Sequence, residues 1–250
     1  MGRISDTVKV LLIINVLFFI GTMSLGQQAY ELFALFYPEN PNFQYWQIVT
    51  HMFMHGGTGH IILNMFMLYM FGSHLEYSIG QQKFLFLYFS AGFGAAALQL
   101  LFVHIGYTNA YQAMIDAGAS PTQIQETVTM IAEQGRYILI PGVSEELITN
   151  LYTNYYSSMV GASGAVFGVL AAFAVLYPNL PLYLFFIPVP IKAKYLIGVY
   201  FAYNVYSAVS GTSMIGPSNT AYWAHIGGAI FGFIMMWYWK KNSFNKNRWD

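Results

Sequence analysis

Six segments of this 250-residue chain approach the length of a bilayer crossing, and they are nearly free of charge: 10–25, 60–77, 84–105, 163–177, 193–210 and 222–239. A hydrocarbon core of about 30 Å takes about 20 apolar residues of helix. Charged residues make up only 8% of the chain, against about 25% in a soluble domain. The deficit is too large to reflect a generous core, so the chain reads as an all-α membrane protein. Ten Lys and Arg balance ten Asp and Glu, which leaves no basic surplus for nucleic acid. The absence of cysteine excludes disulfides, thiolate catalysis and Cys-ligated metals.

Arg3 and Lys9 precede the first segment as they would a signal peptide. Its apolar run is at the upper limit for one, however, and no A-x-A site follows, so it reads as a retained helix. With both termini cytoplasmic, the inner side holds Arg3, Lys9, Lys83, Lys192, Lys194, Lys240, Lys241, Lys246 and Arg248, and the outer side holds only Arg136. This asymmetry follows the positive-inside rule. The chain reads as one domain over 1–250, with a short basic tail at about 240–250 and an enlarged outer loop at about 106–162. In that loop Ser120-Pro121-Thr122-Gln123 is a capping-box start, and Ser144 before Glu145 and Glu146 opens another helix. The expectation is a helical cap lying on the bilayer surface rather than a separate binding domain.

Polar side chains are costly at membrane depth and therefore informative. Of the acids, only Glu76 touches a span, which argues against an ion-coupled transporter. His60 and Asn64 on the second segment, Ser163 at the head of the fourth and His225 near the head of the sixth all lie toward the outer leaflet. His60 and Asn64 are four residues apart and share a helix face. Asn15, His74, His104 and Asn204 read as packing or rim residues. Gly164 and Gly168 on the fourth segment and Gly228 and Gly232 on the sixth are GxxxG pairs, which let helix backbones approach closely. Packing of these stripes would bring His225 beside Ser163.

A serine needs a neighbouring base to become a nucleophile, and histidine is the usual one. With no deep carboxylate, His225 would be oriented by packing, with Phe167 as the ring it rests on. The Ser163 N–H begins a helix and is a free donor for an oxyanion, to which His60 and Asn64 can add side-chain donors.

The segments Trp46 to His55, His60 to Asn64, Gly161-Ala162-Ser163-Gly164 and Ala224-His225-Ile226-Gly227-Gly228, with Phe71-Gly72, Glu76, Gly80 and Lys83-Phe84, resemble the rhomboid family of intramembrane serine proteases. The resemblance implies a six-transmembrane-helix bundle and a water-filled active site. In that site Ser163 is the nucleophile, His225 the general base, and His60 and Asn64 the oxyanion donors. It implies transmembrane protein substrates in a lipid bilayer, with no cofactor, metal or nucleic acid. A bacterial plasma membrane is the expected location, with the site facing the extracytoplasmic side. Gln47 stands where the family carries Arg, so the first loop must be anchored differently.

Two rivals remain open. His51, His55 and His60 could suggest a metalloprotease, but H-E-x-x-H is absent. A non-catalytic rhomboid-like protein that binds transmembrane helices is the stronger alternative, although such proteins typically lack the serine or the histidine.

Overall fold

The computed structural model describes residues 3–184, 187–214 and 220–243. The tail beyond Ser243, with Lys246 and Arg248, lies outside the described residues. The fold is mostly helical. In chain order it comprises α1 (Asp6–Leu25), α2 (Gln27–Phe33), β1 (Leu35–Phe36), α3 (Gln47–Thr50), α4 (Thr58–Met67), α5 (Ser73–Ile79), α6 (Gln81–Asp116), α7 (Pro121–Gln134) and α8 (Glu145–Tyr156). It continues with β2 (Ser158–Met159), α9 (Ser163–Leu176), β3 (Pro181–Leu184), β4 (Ile187–Lys192), α10 (Ala193–Ser210) and α11 (Tyr222–Ser243).

Each apolar segment of the sequence falls on a helix, but the helices are not uniform. Among the described residues, only α1 and α6 are both long and apolar enough to cross a membrane by that criterion alone. The second segment is α4 and α5 joined by a π-turn over Leu68–Gly72. It thus continues helically over 58–79, about 33 Å at 1.5 Å per residue. Helix α9 has 14 residues and would reach only about 21 Å.

Helices α6, α9 and α11 form the centre. Gly164 packs on Ala95, Gly168 on Ala91, and Gly227 on the Gly94 carbonyl. Any Cβ at Gly228 or Gly232 would collide with the carbonyl of Gly164 or Gly168 respectively. The two GxxxG stripes therefore meet backbone to backbone, and this contact sets α11 against the head of α9. Phe84, Leu87, Tyr88, Val169, Leu170 and Phe173 complete the buried core around them. Helix α1 docks at one end through Glu76. Its buried carboxylate accepts from the Ser5 hydroxyl at 2.5 Å, Thr7 N at 3.2 Å and Val8 N at 3.1 Å, so an acid on α5 satisfies the open first turn of α1.

The enlarged loop differs from the expected surface helix. Helix α6 runs 36 residues, about 54 Å, well past the end of the third apolar segment. Helices α7 and α8 fold back on that extension around a second core of Ala110, Met114, Ile124, Val128, Ile148 and Leu151. The apolar stripe of α8 is covered by protein. The capping box at Ser120 and Gln123 forms as read, as does the Ser144 cap. Two short antiparallel strand pairs, β1 with β2 and β3 with β4, were not legible in the hydropathy pattern.

Candidate active site

Ser163 is the first residue of α9, and Ala162 before it offers no side-chain cap, so the first-turn N–H groups have no side-chain acceptor beneath them. The approach to Ser163 is held from two sides. The β1–β2 pair fixes Ser158 and Met159, and Gly161 N donates to the His51 carbonyl at 2.9 Å. Gly161 has φ +131, and a Cβ there would stand 2.9 Å from His60 Cε1 and 3.0 Å from its Nε2. Only glycine meets both the backbone conformation and the close approach of the imidazole.

His225, in the first turns of α11, reaches Ser163: Nε2 and Oγ are 2.9 Å apart. The imidazole is buried and lies flat on the Phe167 ring, with centroids 4.2 Å apart and planes 10° apart. On the other side of the ring, Nδ1 is 2.7 Å from Asn204 Oδ1 on α10. A serine hydroxyl, an imidazole and an amide oxygen thus line up across three helices. A group so arranged can pass the hydroxyl proton to Nε2 while the hydroxyl oxygen forms a bond to a carbonyl carbon.

His60 is half-buried on α4, with its Nδ1 3.3 Å from Gly56 N and its ring 5.1 Å from that of His55. Asn64, one turn further along α4, is buried, and its Nδ2 has no hydrogen-bond partner among the described residues. Helix α4 packs against α9. An amide donor held without an acceptor costs stability, and such a donor is what a transient anion requires.

Two cavities flank the site. One of about 10 Å³ lies beside Ser163, between His51, Val160, Gly161 and Ala224, near the lower limit for a single water. The other, about 630 Å³, is apolar. It lies between α9, α10 and α11, and Phe167 and Tyr200 form the end nearer His225.

Sequence reasoning set Asn204 aside as a packing or rim residue and missed its contact with His225. The depth criterion that selected the other four residues would also have selected it. It lies about 9 Å from the C-terminal end of α10, and His225 about 4.5 Å from the N-terminal end of α11. The others set aside with it also have partners. Asn15 bonds the Leu11 carbonyl, His74 the Met70 carbonyl, and His104 Nδ1 meets the Tyr37 hydroxyl at 2.6 Å.

The first loop is anchored by a neutral amide. Gln47 is fully buried. Its Nε2 donates to the Glu31 and Asn42 carbonyls at 3.0 and 2.8 Å, and its Oε1 accepts from Gln44 N at 3.0 Å. Within the same loop His51 Nδ1 donates to the Gln47 carbonyl at 2.7 Å. Burial lowers the His51 pKa from 6.5 to about 4, and this hydrogen bond only partly opposes it. The helical cap joins this loop through Tyr155, whose hydroxyl donates to the Glu39 carbonyl and whose own carbonyl accepts from Asn40 Nδ2. Burial, with Glu39 nearby, raises the Tyr37 hydroxyl to about 12.

Similarity to known proteins follows the same outline. The chain is 26% identical over 215 residues to an uncharacterised mitochondrial rhomboid protein of Schizosaccharomyces pombe, covering 80% of this chain and 53% of the relative. It is 30% identical over 189 residues to the mitochondrial RHOMBOID-like protein 12 of Arabidopsis thaliana, covering 75% of this chain and 44% of the relative. Over 82 residues it is 38% identical to the mitochondrial Rhomboid protein 1 of Saccharomyces cerevisiae, covering 33% and 22%. The chain spans about half the length of the first two. These relatives are mitochondrial, which overturns the expectation of a bacterial plasma membrane. Residue chemistry and hydropathy are the same in either membrane, so the sequence reading had no means of separating them. The family model for the rhomboid domain matches residues 42–124 and 125–242, and the chain belongs to the rhomboid family.

Proposed function

We propose that this chain is an intramembrane serine endopeptidase in which Ser163 attacks a peptide bond at the end of a substrate's transmembrane segment. The observation that carries the reading is the 2.9 Å approach of His225 Nε2 to Ser163 Oγ, with the ring held flat on Phe167. A histidine kept only for packing has no need of a serine at hydrogen-bond distance on a separate helix.

In this mechanism Ser163 Oγ bonds to the substrate carbonyl carbon as its proton passes to His225 Nε2. The carbonyl oxygen becomes an oxyanion facing the Ser163 N–H, His60 and the unpartnered Asn64 amide. Collapse breaks the C–N bond, and His225 gives the proton to the leaving amine. Water then attacks the ester, its proton again taken by His225, and His225 returns that proton to Ser163 Oγ as the C–O bond to the serine breaks and the acid product leaves. The substrate segment must unwind locally, because a helical amide is shielded by its own turn. Entry past α10 is favoured by its loose packing against α9 and α11, which leaves the large apolar cavity between them.

The reading takes 1–250 as one rhomboid domain with six spans formed by α1, α4 with α5, α6, α9, α10 and α11. Both ends lie on the cation-rich side and Ser163 opens to the other, with 106–162 as a helical cap on that face. The partners are transmembrane segments and the bilayer itself. The mitochondrial relatives support a mitochondrial membrane as its location.

The test is cleavage of a model transmembrane substrate by the purified, reconstituted chain. Ser163→Ala and His225→Ala should each remove cleavage without loss of folding, and a chelator should leave it unchanged. Undiminished turnover by Ser163→Ala overturns the assignment.

A further inference from the structure

We propose that Asn204 is a positioning residue for His225, so that the reactive unit is a serine, a histidine and an asparagine drawn from three helices. The inference rests on the Ser163–His225 reading above and adds to it the group that sets the protonation pattern of the imidazole.

The orientation of the amide follows from its own neighbours. Asn204 Nδ2 lies 2.7 Å from the Tyr200 carbonyl. A carbonyl can only accept, so the amide nitrogen must be there as a donor. That leaves Oδ1 facing His225 Nδ1 at 2.7 Å. An amide oxygen also only accepts, so Nδ1 carries the hydrogen. In the neutral ring Nε2 is then the bare nitrogen, and it is the one at 2.9 Å from Ser163 Oγ. The chain from the Tyr200 carbonyl through Asn204 and His225 to Ser163 thus selects one of the two neutral tautomers, the one able to accept the serine proton.

Burial strengthens the argument. Asn204 is 1% exposed and His225 8% exposed, so water does not compete freely for either ring nitrogen. Phe167 fixes the plane of the imidazole but is indifferent to rotation within that plane and to which nitrogen bears hydrogen. Asn204 supplies what stacking cannot. An amide achieves this without placing a carboxylate in an apolar helix interface, where an uncompensated charge would be costly.

The prediction is read in three ways on the full chain reconstituted with a transmembrane substrate. Asn204→Leu keeps the side-chain volume but offers no acceptor. It should lower kcat about 10²-fold with KM within about twofold, as expected when a base loses its orienting partner. Asn204→Asp restores an oxygen facing Nδ1 and should recover at least a tenth of the original kcat. The third measurement needs no variant. In protein carrying ¹⁵N-histidine, with His225 assigned by its loss in His225→Ala, the resting imidazole should show hydrogen on Nδ1.

Three results would overturn the role of Asn204: a kcat for Asn204→Leu within twofold of the parent, equal losses in Leu and Asp variants, or hydrogen on Nε2 in the resting protein. The nitrogen spectrum decides the matter if either variant fails to fold. Full turnover by Ser163→Ala would instead remove the protease reading, while the spectrum would still report whether Asn204 holds the ring.

Discussion

The imidazole of His225 and the phenyl ring of Phe167 lie almost parallel, 10° apart with centroids separated by 4.2 Å, although they belong to different helices. The contact exists because α9 and α11 touch through glycines, leaving no side chain to hold the rings apart. Phe167→Leu keeps an apolar filler but loses the flat face. It should reduce kcat about tenfold while costing roughly 1 kcal/mol of stability, the lower range for shape changes in a core. Steady-state cleavage and thermal unfolding in detergent check the two parts separately. Unchanged kcat would mean that the stacking has no role in holding the base.

Asn64 carries a different signature. Its Nδ2 is buried without a partner among the described residues, so truncation removes an unsatisfied donor. Asn64→Ala should lower kcat by about 10²–10³-fold, the usual cost of one oxyanion donor, with little change in KM. Its unfolding midpoint should stay level or rise. A variant that loses activity and stability together would point to a structural role instead.

Gln47 holds three backbone groups of the first loop at once. Gln47→Leu strands two carbonyls and one N–H in a buried setting, where each lost partner costs about 1–3 kcal/mol. Limited proteolysis should cut the first loop well before the helices, and the unfolding midpoint should fall clearly. Equal protease resistance in variant and parent would show that other contacts suffice to hold the loop.

Acid should weaken the same loop. His51 is neutral when folded down to about pH 4, and His55 is pushed lower still by burial and by His60 beside it, whereas both take a proton near pH 6.5 once unfolded. The folded state therefore binds fewer protons across that interval. Stability is full above about pH 6.5 and declines as the pH falls toward 4. The unfolding midpoint in detergent, followed from pH 7 to 4, should drop, and His51→Gln should make the drop shallower. A midpoint that holds level in the parent chain contradicts this.

Much of the site was open to reading because membrane depth is a one-dimensional property. Counting residues along spans shows which polar groups share a leaflet, and the glycine spacing shows which helices can touch closely. His60, Asn64, Ser163 and His225 were selected that way, and Phe167 by its place four residues after Ser163 on one helix face. Asn204 was missed because its relation to His225 depends on the rotation of α10 about its axis, and neither hydropathy nor spacing records that angle. The cap was misjudged for a related reason. The amphipathic stripe of α8 has the same pattern whether it faces lipid or protein, and only the rigid continuation of α6 to Asp116 supplies the protein surface that covers it.

The sequence by itself determined that the chain is helical, apolar enough for a bilayer and equipped with a hydroxyl and an imidazole near the heads of two apolar segments, because these follow from composition and spacing along single helices. Tertiary structure alone decided that the hydroxyl and imidazole stand 2.9 Å apart, that Phe167 stacks on the imidazole and Asn204 meets its other nitrogen, and how a glutamine fastens the first loop. These depend on contacts between segments far apart in the chain, where the energy lies in close packing and in matching each buried donor to an acceptor.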